Sequence, residues 1–164
     1  MNVRINEKIP ATYKNLPGLY AFLVRHGSEF SLDLCEAIKN HKEPPSNSNA
    51  SWEVIANELS KTMASPTYFD FYTAKNPFFR RKVISHATLD DGANVVNYNR
   101  AFWGNSVYTI EDWVGNFFHE LTHCADQKST YSFDHKNQSD FKSAPFVVGA
   151  LAEKLYAEKY RLNA

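Results

Sequence analysis

Residues 119 to 123, "HELTH", set two histidines four positions apart with a glutamate beside the first. On an α-helix residues i and i+4 stand one above the other, so both imidazoles can approach a single ion at about 2.0 to 2.1 Å. Glu120 is rotated to the side of that pair, where a carboxylate can take a proton from metal-bound water instead of ligating. The spacing therefore suits hydrolysis by a zinc-activated water. The plainer reading is two hydrogen-bonded histidines on an apolar helix face, without a metal. The motif lies inside a capped, apolar-striped helix, which favours the metal.

A catalytic zinc takes three protein ligands and keeps one position for water. His135, in "YSFDHKNQ", follows on a polar connection that could turn back under the helix and deliver it. Glu153 is the second candidate, although "AEKLYAEK" reads as the charge decoration of a solvated helix face. Asp126 is the third. On a continuing helix it rises about 10 Å from His119, which suits it better to accept an imidazole N–H. We rank His135 ahead of Glu153, and Glu153 ahead of Asp126. His26, His41 and His86 lack ligand-spaced partners, and Cys124 points about 100° away from the histidine face and reads as core.

These side chains need a scaffold. Thr109 is a good N-cap for the motif helix, with Glu111 and Asp112 in its first turn. Ile110, Trp113, Val114, Phe117, Phe118 and Leu121 supply its apolar stripe. A later helix starts near Pro145 and runs through "FVVGALAEKLYAEKYR". The connection between the two, some twenty residues, is too long for a mere linker. Upstream, "TYFDFYTA" (67 to 74) reads as a strand, and "DDGA" predicts a hairpin over 82 to 99 whose second arm, 95 to 99, looks like a half-exposed edge strand. Ser31 and Ser51 are expected to cap two further helices, "SLDLCEAIKNHK" and "WEVIANELSKTM". The Pro/Ser/Asn-rich stretch 40 to 51 between them reads as a loop.

A chain of 164 residues fits one domain with its own core. Lys plus Arg equals Asp plus Glu, 18 against 18, so no global field draws it to nucleic acid or an anionic membrane. Aromatic residues, at 15%, are numerous enough to thicken a core and line a groove. The two cysteines cannot build a disulfide framework and read as buried thiols. The N-terminus lacks an apolar leader segment, and no run reaches membrane-spanning length, so a cytoplasmic location is expected. Nothing points to a particular oligomeric state.

With these pieces in place the chain resembles the zincin metallopeptidases, and within them small phage and bacterial enzymes. The matching segments are "VVNYNRAFW", "HELTHC", "FDH" and "SAPFVVG", spread over about residues 67 to 155. In such families the third histidine follows the second more closely, after a turning glycine. Here the gap is longer and Ala125-Asp126 stand at that place. The resemblance implies an α+β zincin-like domain over 1–164, with a helical segment at 1–50 and a metallopeptidase core at 67–160. Its small mixed or antiparallel sheet would pack on the motif helix. The resemblance further implies zinc held by His119, His123 and His135, Glu120 as general base, and a peptide or protein substrate paired to the 95 to 99 edge. For an oxyanion donor Tyr131 is the nearest candidate in sequence, although packing or loop structure is the plainer reading for it. The alternative is a zinc-binding, catalytically inactive interaction module of the same fold. A small effector or inhibitor whose histidines are incidental is the third reading.

Overall fold

The computed structural model describes residues 1–5, 16–73, 84–102, 108–137 and 139–161. Residue 74 of the expected strand and residues 82 and 83 of the expected hairpin fall outside these. The elements are β1 (Val3–Ile5), α1 (Leu16–Lys39), α2 (Trp52–Ala64), β2 (Thr67–Tyr72), β3 (Ser85–Asp90), β4 (Ala93–Asn99), α3 (Ile110–Lys128) and α4 (Ala144–Leu155). The chain is α+β, a small mixed sheet with four helices.

The sheet order is β1-β2-β4-β3, with β2 parallel to both β1 and β4 and β3 antiparallel to β4. The hairpin forms as the Asp-Gly signal predicts: Asp91 and Gly92 take φ of 45° and 80°, the left-handed region that a tight two-residue turn needs. The edge assignment, however, needs correction. β4 lies inside the sheet, and β3 is the edge on that side, with β1 at the other. The amides that made residues 95 to 99 look solvated belong to internal hydrogen bonds. The Asn97 amide donates to Thr88 Oγ1 at 3.0 Å, and the buried Asn99 Oδ1 accepts from the Ala101 N–H at 3.1 Å. Asn94, just upstream, donates to the Thr62 carbonyl and to Thr67 Oγ1.

Ser31 is also corrected. α1 is one helix from Leu16, and Ser31 sits within it, its hydroxyl donating to the Gly27 carbonyl one turn back at 2.5 Å. Leu19, Phe22, Leu23, Phe30, Leu34 and Ile38 make a buried stripe that runs past Ser31 without interruption. α2 behaves as expected: Ser51 Oγ accepts the Val54 N–H, and the helix stops before Pro66. α1 joins the same hydrophobic core as the sheet and later helices, with Phe30 against Phe118 at 5.1 Å and Phe22 against Tyr156 at 4.7 Å.

Thr109 and Asp112 form a reciprocal capping box at the start of α3. The buried face of α3 lies on the sheet, Phe117 against Phe69 and Trp113 against Tyr98, both at 5.4 Å. α4 packs against α3 where two glycines meet. A Cβ on Gly149 would stand 3.0 Å from the Gly115 carbonyl oxygen and 3.3 Å from the His119 Cβ. α4 carries Pro145 in its first turn and continues through a π-helical turn, Tyr156–Tyr160. Among the described residues no helix is long and apolar enough to cross a membrane.

Candidate metal centre

His119 and His123 lie one turn apart on α3 with their Nε2 atoms 3.0 Å apart. The connection after α3 brings His135 to them, its ring centroid 5.5 Å from that of His119 and 4.8 Å from that of His123. One ligand atom from each of the three lies within 4.8 Å of the others, and among the described residues this is the only group of three or more metal-ligating side chains that gathers so closely. His135 Nε2 is buried with no hydrogen-bond partner. A buried imidazole nitrogen left unpaired is costly, and a cation is the partner that three convergent nitrogens fit.

The loop that delivers His135 is held from both sides. Phe133 is fully buried, and its N–H donates to the Asp126 carboxylate at 2.6 Å, which turns the chain back toward α3. Asn49, in the 40 to 51 loop, exchanges two hydrogen bonds with Ser132. Farther on, Ser46 and Asn47 both donate to Asp140. The Pro/Ser/Asn-rich stretch thus acts as a brace for the histidine loop.

Each motif histidine has a second partner. His123 Nδ1 lies 2.9 Å from Asp134 Oδ1. The His119 ring hydrogen-bonds the Pro145 carbonyl, and Phe146 packs edge-on against it at 4.7 Å. Such outer contacts fix the ring orientation and, for a carboxylate, raise ligand basicity. Burial and the two neighbouring imidazoles push His119 down to about 3, so it stays neutral with a lone pair available. Burial pulls His123 down too, but the Asp134 hydrogen bond and the charges of Glu120, Asp134 and Asp126 outweigh it and leave its pKa raised.

Glu120, only 5% exposed, faces the same space. Burial raises its pKa, opposed by the Ser85 hydroxyl, the positive field of His123 and the Ala87 N–H. A carboxyl raised from its ordinary value is better matched to accept a proton near neutrality. A cleft of about 620 Å³ opens above it, with Asn116, His119, Glu120 and His123 of α3 as its floor. One wall is the start of β3 with the residue before it, 84 to 87. The other is α4, at Phe146, Gly149 and Ala150. Because the Asn99 N–H bonds the Ile84 carbonyl, the ladder register turns the main chain of Ile84, His86 and Thr88 toward β4. The main-chain groups of Ser85, Ala87 and Leu89 therefore face away from β4, toward the open edge.

Several expectations land elsewhere. Glu153 lines the cleft next to Gly115 but stands outside the histidine cluster. Asp126 caps Phe133 rather than an imidazole, and Asp134 takes that place. Tyr131 is 42% exposed and does not line the cleft, so the oxyanion role loses its candidate. Cys124 is fully buried, its thiol against the Thr88 carbonyl and pushed up to about 12 by burial. His86, set aside from the sequence, lies at the cleft with its ring 4.8 Å from that of Tyr72. Sequence reasoning missed Ser85, Asn116, Asp134 and Phe146. Of these only Asp134 carried a signal, its position directly before His135. Comparison with protein-family models, curated proteins and solved structures returns no match.

Proposed function

We propose that this chain is a zinc-dependent metallopeptidase, with His119, His123 and His135 as ligands and Glu120 as general base. The observation that carries the reading is the convergence of one ring nitrogen from each of His119, His123 and His135 within 4.8 Å, beside a buried glutamate that lines an open cleft together with His119 and His123. Tetrahedral coordination at about 2.1 Å spaces ligand nitrogens about 3.4 Å apart, close to the 3.0 Å of the His119 and His123 pair. Three imidazole donors, with no fourth ligating side chain gathered beside them among the described residues, match the ligand count of a catalytic zinc, whereas structural sites fill all four positions with side chains.

When bound, zinc acidifies its water and polarises a carbonyl oxygen. Glu120 takes the proton of the attacking water and returns it to the leaving amine. The outward main-chain groups of β3 other than the Ala87 N–H, which Glu120 engages, pair with an extended peptide and lay it across the histidines. Phe146 keeps solvent from one side of the His119 and His135 rings. Gly149, by letting α4 approach, fixes His119 from below.

The test is cleavage of a quenched-fluorescent peptide library by the zinc-loaded protein and by Glu120→Gln. The reading predicts that Glu120→Gln keeps its zinc and loses cleavage. Zinc in both proteins with cleavage in neither supports the inactive binding module instead, and cleavage undiminished in Glu120→Gln excludes the assigned base.

A further inference from the structure

Glu120 poses a problem that the histidines do not. A carboxylate beside a divalent cation is itself a competent ligand. Ligation by Glu120 would fill the open position and leave no base. Something must hold it away.

Ser85, at the start of the edge strand and 6% exposed, places its Oγ 2.6 Å from Glu120 Oε1 and 2.7 Å from the Oδ1 position of the Asn116 side-chain amide. Asn116 is one turn before Glu120 on the same helix. A hydroxyl has one proton and two lone pairs, so it can give its proton to Glu120 while accepting one from the Asn116 NH₂, with the amide turned to present it. The Ala87 N–H adds a second donor from the same strand.

We infer that Ser85 is a positioning residue: with Asn116 behind it, its hydroxyl tethers the Glu120 carboxylate to the edge strand, keeping it near the metal water and off the metal. This rests on the metallopeptidase reading of the site. It assigns the strand a task beyond binding peptide, because β3 also sets the base. Ser85→Ala releases one tether, and Glu120 swings onto the ion.

The experiment uses cobalt(II) in place of zinc, whose visible absorption reports ligand number and type. Ser85→Ala should alter the cobalt spectrum and hold the metal at least as tightly as the wild type. The Glu120→Gln background should abolish that spectral change, and Ser85→Thr, which keeps a hydroxyl, should restore the wild-type spectrum. With a cleaved peptide in hand, kcat of Ser85→Ala should fall about 10- to 100-fold with KM little changed. A cobalt spectrum untouched by Ser85→Ala, or a change that persists with Glu120→Gln, overturns the role of Ser85 while leaving the histidine site standing. A wild-type protein that takes up no cobalt overturns the site and the tether together.

Discussion

Asp134 and His123 are joined by a hydrogen bond of 2.9 Å between Oδ1 and Nδ1, so the residue directly before one metal-ligand candidate orients another. The loop therefore delivers two functional groups at once. Asp134→Asn should weaken zinc binding about 10- to 100-fold while the fold persists, since a neutral amide raises imidazole basicity less than a carboxylate does. Competition with a chromophoric chelator measures this. Equal affinity in the two proteins would mean that His123 does not depend on Asp134.

At Gly149 α4 packs close against α3. Its substitution by alanine drives a Cβ to 3.0 Å from the Gly115 carbonyl oxygen, an atom of helix backbone with little room to give, and to 3.3 Å from the His119 Cβ. Gly149→Ala should cost about 1 to 3 kcal/mol in urea unfolding, as overpacking does, despite the better helix propensity of alanine. It should also lower zinc affinity by displacing His119. A more stable variant would show that propensity outweighs the clash.

The end of the last helix is tied to α1 through Asp33, which accepts from Lys159 Nζ at 2.5 Å and from the Tyr160 hydroxyl at 2.7 Å. Those hydrogen bonds hold the Asp33 carboxyl below its ordinary value. A depressed carboxylate stabilises the fold at pH above its unfolded-state pKa and loses that contribution as pH falls through the folded-state value. Asp33→Asn should lower the melting temperature slightly at pH 7, because Asp33 and Lys159 are both solvent-screened, and should match the wild type in strong acid. A gap that stays constant from pH 7 to pH 2 would refute the linkage.

What the sequence makes legible is what is local. The capped motif helix, the Asp-Gly hairpin, the Ser51 cap and the late helix with Pro145 in its first turn all follow from residues within a few positions of one another. Where contacts span the chain, local pattern fails. Asn97 and Asn99 alternate with apolar residues like solvent-facing amides, yet their side chains hydrogen-bond within the chain, and β4 lies between β2 and β3 instead of at an edge. Ser31 carries the side chain of a helix cap but bonds back to Gly27 within a longer helix. His135 could be proposed because the motif helix asked for a partner. What brings it there, Phe133 in the core and Asn49 on a loop more than eighty residues upstream, leaves no periodic trace. Ser85 and Glu120 are likewise brought together only by the docking of α3 on the edge strand.

Zinc titration of the metal-stripped protein, read by calorimetry beside His135→Ala, tests the central claim most directly. The wild type should take up a single equivalent of zinc, and His135→Ala, which keeps the helix pair but loses the loop ligand, should bind far more weakly while remaining folded. A wild type that takes up no zinc, or one that His135→Ala equals in affinity, would contradict a centre built from these three imidazoles.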